Sequence, residues 1–262
     1  MAEPRPQSPP RAAAPVPTVE LGGIPVSRLG FEDTIALILR WMEEGQPRRV
    51  ATANLDFLEL SHRDPELHEA LRTADLVTAD GTPLVWLSRM HKRPIDERVA
   101  GSDLVPRLFA ECARAGRSIY VFGGMPGVGE EVVQRMGERF PDLRIAGQSA
   151  PMVDLGDEVG CRRIAQEIRR TEPDLILVAL GCPKQDLFLA RYAHVIGRGV
   201  GIGIGATLDF LAGKVQRAPA WLGPLCLEWV YRLAQEPRRL GGRYARDARH
   251  MLRLLRETRR SG

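Results

Sequence analysis

The sequence predicts an α/β protein, a Rossmann-like and mostly parallel sheet with helices on both faces, extended by a basic helical C-terminal appendage. Short continuous apolar runs, such as Ser118-Ile-Tyr-Val-Phe122 and Asp174-Leu-Ile-Leu-Val-Ala-Leu180, fit strands buried on both faces. Stretches with apolar residues three and four apart alternate with them. Several runs end on a glycine, or on a carboxylate and a glycine, directly before a helix-like segment, as in Asp75-Leu-Val-Thr-Ala-Asp-Gly81. Ligands of open α/β sheets collect at that strand end.

In order, residues 1–17 are rich in Pro, Ala and Arg without periodicity and read as a disordered tail. Val19 to Val26 suggests a small hairpin around Gly22-Gly23. Ile35, Ile38, Leu39 and Met42 give helical spacing between Gly30 and Gly45. Arg49-Val-Ala-Thr-Ala-Asn54 is a strand, and Leu55 to Thr73 two helical pieces broken near Asp64-Pro65. The Leu76–Ala79 strand and Pro83–Met90 helix precede a loop over 92–103 and a helix from Leu104 to Arg114. After the Ser118–Phe122 strand come Gly123-Gly-Met-Pro-Gly127 and a helix from Val128 to Phe140. Leu143 to Ala146 is a strand and Glu158 to Arg170 a helix. The Asp174–Leu180 strand leads through Gly181-Cys-Pro-Lys-Gln185 into a helix to His194, and Val200 to Ala206 is the last strand. The α/β body is expected over residues 18–213 and the appendage over 214–262.

A net charge of +4 conceals an asymmetry: residues 214–262 hold 12 Lys/Arg against 4 Asp/Glu. Such a segment suits phosphate, an anionic membrane surface or nucleic acid. Trp221, Leu222, Leu225, Leu227, Trp229 and Leu233 precede its arginines, which favours lipid over nucleic acid. Arginines at 246, 249, 253 and 256 share one helical face. Four scattered cysteines and an N-terminus without an apolar leader point to a reducing, cytoplasmic setting. No His or Cys grouping suggests a metal, and no Gly-x-Ser-x-Gly elbow suggests a hydrolase.

If the strands ending at Asn54 and Asp80 are parallel neighbours, Thr52, Asn54 and Asp80 converge on one crevice. Asp80 then reads as a general base for a hydroxyl nucleophile, or as a plain N-cap of the segment starting at Thr82. Gly123 and Gly124 read as a phosphate-binding turn or an ordinary strand-to-helix turn. Gln185 reads as a ligand contact or a solvent-exposed position. Gly201-Ile-Gly-Ile-Gly205 reads as a strand packed closely against another backbone, and NAD is not expected there.

Together Thr52-Ala-Asn54, Ala74-Asp-Leu-Val-Thr-Ala-Asp-Gly81, Glu97-Arg-Val-Ala-Gly-Ser-Asp103, Phe122-Gly-Gly-Met-Pro-Gly127, Ala179-Leu-Gly-Cys-Pro-Lys-Gln185 and Gly205-Ala-Thr-Leu-Asp-Phe-Leu-Ala-Gly213 resemble the WecG/TagA/CpsF family of bacterial glycosyltransferases. The likeness continues through Arg217-Ala-Pro-Ala-Trp221 and Leu227-Glu-Trp-Val-Tyr-Arg232, covering about residues 20 to 245. It implies an inverting, metal-independent transferase without a cofactor. Its donor would be a UDP-sugar and its acceptor a polyprenyl-diphosphate-linked sugar, at the cytoplasmic membrane face. It also implies Asp80 as catalytic base, Thr52 and Asn54 as sugar and acceptor residues, and Arg98 and Gln185 as active-site residues. Gly81 would line the same site. Arg232, Arg239 and Arg238 or Arg243 would close over the diphosphate. Ala53 and Cys182 depart from the family's commoner residues, which bears on donor choice. Two rivals remain at this point: a non-catalytic nucleotide-binding regulator whose arginine tail contacts nucleic acid, and a nucleotide-sugar hydrolase or epimerase. A homo-oligomer is compatible with the sequence.

Overall fold

A computed structural model describes residues 15–215, 230–231 and 237–261. A short antiparallel hairpin, β1 (Thr18–Leu21) and β2 (Ile24–Ser27), turns at Gly22-Gly23. Helix α1 (Phe31–Glu44) follows and stops at Gly45, which supplies the left-handed backbone of a C-cap. Strand β3 (Arg48–Ala53) leads into α2 (Leu55–Ser61), and Asp64-Pro65 starts α3 (Pro65–Arg72) with an Asp cap on two backbone amides. Then come β4 (Leu76–Ala79), α4 (Thr82–Ser88), α5 (Gly101–Ala115), β5 (Ser118–Gly123), α6 (Val128–Arg139) and β6 (Arg144–Ser149). The alternation continues through α7 (Glu158–Arg170), β7 (Leu175–Ala179), α8 (Lys184–Ile196), β8 (Val200–Gly203) and α9 (Thr207–Leu211). A long helix, α10 (Pro237–Ser261), ends the described chain.

Six strands form one all-parallel sheet in the order β4-β3-β8-β7-β5-β6. Alternate strand residues feed opposite faces, as the pleat requires. Val50, Leu76, Ile119, Val121, Leu177 and Ile202 pack with α1, α5, α6 and α9. On the other face Ala51, Ala53, Val77 and Ala79 pack with α2, α3, α4 and the hairpin, while Tyr120, Phe122, Ile176 and Val178 meet α7 and α8. Both faces are covered, which is why the strands carry so few polar residues.

The structure refines three expected boundaries. Helix α5 begins three residues earlier than its apolar spacing suggests, because Asp80 holds the amide of Gly101. Strand β6 runs past Ala146 to Ser149, its six residues partly exposed at the sheet edge. Strand β8 stops at Gly203, and residues 204–206 turn into α9.

The glycines of β8 are explained by its neighbour. A Cβ on Gly201 would lie 2.4 Å from Leu189, and one on Gly203 2.6 Å from Gln185 Nε2. Leu189 and Gln185 are four apart on α8, a spacing of about 6 Å that matches two strand residues. The close approach expected of this run is therefore to α8 side chains rather than to a backbone.

Helix α10 lies against α2 and α4. Among its described side chains Asp247, His250 and Leu254 are buried, and the Leu254 side chain reaches Gly22 in the hairpin turn. His250 stacks obliquely on His62, with ring centroids 5.8 Å apart. Arg246, Arg249 and Arg253 are exposed, and Arg253 reaches His62. Among the described residues no helix is long and apolar enough to cross a membrane. The tail over residues 1–14, the aromatic segment over 216–229 and Arg232 lie outside the described residues, as does the side chain of Arg256.

Candidate active site

Thr52, Asn54 and Asp80 lie toward the carboxyl edge of the sheet. Strand β3 leaves into α2 on one face, and β8 leaves into α9 on the other. Connections that part in this way open a crevice between the strand ends, the usual ligand site of open α/β sheets. Because β3 and β4 are parallel neighbours, with Thr52 beside Thr78, the ends carrying Asn54 and Asp80 stand side by side.

Thr52 is buried, and its hydroxyl donates to the Gly203 carbonyl across the sheet at 2.8 Å. Asn54 caps α2, its Oδ1 accepting from the amides of Asp56 at 3.0 Å and Phe57 at 3.3 Å. Both side chains thus lock the strand ends that form the crevice floor.

Asp80 is half-buried, and its Oδ2 accepts from the backbone amide of Gly101 at 3.2 Å. The N-cap position of α4 belongs to Gly81, without a side-chain cap, so Asp80 is not the cap of the segment it precedes. It faces the start of α5 instead. The segment before α5 is drawn alongside by Val99, whose amide donates to the Ala79 carbonyl at 3.0 Å. Arg98 is thereby carried toward the end of β4, paired with Asp103 at 2.8 Å. Asp80 and the segment that carries Arg98 thus lie at the end of one strand.

Gly123 and Gly124 have positive φ values of 92° and 85°, and a Cβ on Gly123 would lie 2.8 Å from the Ala179 carbonyl. Only glycine lets β5 turn here, and the turn delivers the chain to the N-terminus of α6. The amides of that first turn face the carboxyl edge.

Gln185 is wholly buried, which removes the solvent-exposed reading. Its Oε1 accepts from Gly205 at 3.0 Å, and its Nε2 makes no hydrogen bond of regular geometry among the described residues. Lys184, the other polar residue of that turn, donates to the Val153 carbonyl at 3.0 Å and anchors the loop after β6. Asp186 is not among the candidate residues that the sequence offers. It is buried in the first turn of α8, and burial pushes its carboxyl up to about 7 while the Gln185 amide draws it back in part. The signal was there, an acid inside an otherwise apolar helix face, but single-sequence spacing does not show which face is covered.

Arg238, Arg239 and Arg243 lie on α10, with side chains outside the described part of the structure. No three His, Cys, Asp or Glu side chains among the described residues are grouped to hold a metal ion. The Cys112 thiol is buried and pushed up to about 12, which leaves it unreactive at neutral pH.

Asp80 stands at the β4 end of the parallel sheet's carboxyl edge, and the Gly123-Gly124 turn and the N-terminus of α6 lie along the same edge, four strands away. Residues 19–262 match the model of the Glycosyl transferase WecG/TagA/CpsF family, and the chain belongs to that family. It is similar to the N-acetylglucosaminyldiphosphoundecaprenol N-acetyl-beta-D-mannosaminyltransferase of Bacillus spizizenii, at 30% identity over 82% of this chain and 84% of that protein. The protein of the same name from Bacillus subtilis is 31% identical over 72% of each chain. One from Staphylococcus aureus is 27% identical over 73% of this chain and 74% of its own. The chain is thus a glycosyltransferase, and the non-catalytic and hydrolase readings fall away.

Proposed function

We propose that this chain is an inverting, metal-independent transferase using Asp80 as general base. It moves a sugar of N-acetylmannosamine, uronic-acid or glucose type from a UDP-sugar to a polyprenyl-diphosphate-linked saccharide in cell-surface polysaccharide or teichoic acid linkage synthesis. The observation that supports this reading is the position of Asp80 at the carboxyl end of β4, to which the Val99 amide holds the segment carrying Arg98. The relatives' names supply the substrates: each transfers an N-acetylmannosaminyl group to N-acetylglucosaminyl-diphospho-undecaprenol.

Inverting transfer is a single displacement. Asp80 takes the proton of the acceptor hydroxyl as its oxygen bonds to the anomeric carbon, and the bond from that carbon to the UDP oxygen breaks. Negative charge grows on the departing diphosphate, so fixed donors aimed at it stabilise the transition state. Arg98, the amides near Gly123 and Gly124 and the arginines at 232, 238, 239 and 243 are the groups we assign to it. Thr52, Asn54, Gly81 and Gln185 shape the sugar and acceptor side of the crevice. Residues 214–262 serve as an appendage that closes over the nucleotide and docks on the anionic inner face of the cell membrane. The exposed arginines of α10 support that docking.

The test is UDP release from a panel of UDP-sugars, with and without a short-chain polyprenyl-diphosphate-GlcNAc acceptor and with and without a chelator. Acceptor-dependent release with one donor, unchanged by the chelator, is expected. Acceptor-independent release would overturn the transfer reading, and loss of release in chelator the metal-independent one.

A further inference from the structure

We propose that the amino edge of the sheet carries a second ligand site, a pocket in which Arg117, Arg144 and Arg198 bind a small polyanion of the diphosphate class. It is separate from the crevice at the carboxyl edge and requires no assumption about the reaction there.

The three arginines reach the pocket from distant parts of the chain. Arg117 stands in the turn between α5 and β5, Arg144 opens β6, and Arg198 stands in the turn between α8 and β8. Strands β8, β7, β5 and β6 are consecutive in the sheet, so their starts lie side by side. Among those starts is a cavity of about 370 Å³, lined by the three arginines together with Ser118, Glu172 and Asp174. Pockets for small ligands begin at roughly 300 Å³. Elsewhere on the surface a guanidinium is taken by a carboxylate one turn away on the same helix, as Arg72 is by Glu69, Arg114 by Glu111 and Arg135 by Glu131. No single helix face produces the grouping at the amino edge.

The carboxylates of the pocket leave its arginines largely unused. Asp174 is buried, and its Oδ2 is occupied by the amide and hydroxyl of Ser118 at 2.9 and 3.0 Å. Its Oδ1 accepts from Arg198 at 3.0 Å but stands 3.8 Å from Arg117, beyond hydrogen-bond reach. Glu43 comes no closer than 3.8 Å to Arg117, and Glu172 no closer than 3.9 Å to Arg198. Arg144 pairs with no carboxylate among the described residues, and its guanidinium donates to the Gly116 carbonyl at 3.2 Å. The plain alternative is an ion-pair network, centred on Asp174, that ties strand starts together. That accounts for Arg198, but it leaves Arg117 and Arg144 with surplus donors around one cavity.

Charge and lining set the class of ligand. Three guanidinium groups against Asp174 and Glu172 leave one positive charge in excess. Arginine forks meet phosphate oxygens two at a time. No aromatic side chain lines the cavity, and its apolar side chains are Ile145 and Ala146, so a nucleobase finds no stacking surface there. A compact diphosphate uses the surplus donors without needing one. Bound in the pocket, it bridges the starts of β5, β6 and β8 and stabilises the folded chain. The five residues of β7 separate the two edges by about 17 Å, and the pocket shares no residue with the crevice.

The experiment titrates the full-length protein with sodium pyrophosphate at constant ionic strength, read by calorimetry and by the thermal midpoint. Wild type should bind with a Kd of about 1 mM or tighter, and its midpoint should rise as the site fills. Arg144→Ala and Arg117→Ala should each weaken binding by about tenfold, the loss of one charge-assisted contact. Arg144→Lys, which keeps the charge but not the fork, should fall between them and wild type. Arg98→Ala, which alters the crevice, should bind as wild type does. The unliganded midpoint of each variant checks that it is folded, and Arg144 is exposed at the sheet edge. Absence of binding by wild type would overturn the proposal, as would wild-type affinity in both Arg144→Ala and Arg117→Ala. Loss of binding in Arg98→Ala alone would place the diphosphate in the crevice instead. An equal midpoint rise in sodium chloride of matched ionic strength would reduce the effect to screening and overturn it as well.

Discussion

The two edges of the sheet treat the same side chain in opposite ways. At the amino edge Asp174 accepts from the amide and hydroxyl of Ser118 at 2.9 and 3.0 Å and from Arg198 at 3.0 Å. Asp75 is held alike, by the amide of Arg49 at 2.8 Å and by Arg48 at 3.0 Å. These carboxylates close the starts of strands, and Asp174 also forms one wall of a pocket of about 370 Å³ with Arg117, Arg144 and Arg198. At the carboxyl edge Asp80 meets a helix start at 3.2 Å, and Asp186 is buried. A carboxylate gripped by several short donors at a strand start stabilises the fold, whereas one at the carboxyl end of a strand stands where ligands of open α/β sheets collect. The difference lies in the surroundings rather than in the residue.

Substitutions can break that comparison. The largest effect is expected from Asp80→Asn, which should lower turnover roughly a thousandfold while leaving the denaturation midpoint near that of wild type. Turnover within a few-fold of wild type would remove Asp80 as base. Next, Asp174→Ala should destabilise the fold by about 3 kcal/mol, because Ser118 and Arg198 lose a buried partner. It should leave the kcat of the folded fraction unchanged, and a selective loss of kcat would show that the amino edge takes part in catalysis. At the small end stands Glu69→Gln. Glu69 pairs with Arg72 on an exposed face of α3, and the hydrogen bond from Arg72 holds its carboxyl below the usual range. Such pairs add little in water, so neither midpoint nor turnover should move measurably.

Much of this division could be read from the chain itself. Continuous apolar runs gave away strands covered on both faces, and Asp80 followed by Gly81 and Thr82-Pro83 marked a strand end opening into a helix. What stayed hidden were contacts between distant parts of the chain. Thr52 finds its acceptor 151 residues away and Asp80 its donor 21 residues away, and neither separation leaves a periodic trace. Gln185 and Asp186 look like ordinary first-turn polar residues until α8 is seen to be covered by β8, α7 and α3 together. Burial of a polar side chain is a property of the assembled layers, which local spacing does not encode.

The fit of α8 on β8 has a bearing on any attempt to re-engineer this enzyme. Leu189 and Gln185 occupy the room that side chains on Gly201 and Gly203 would need, so helix and strand are complementary halves of one joint. A chimera that borrows the helix from a relative inherits only one half, and any change of bulk there meets a strand shaped for another partner. The exchangeable module is therefore the whole stretch from Gly181 to Gly205, both halves travelling together.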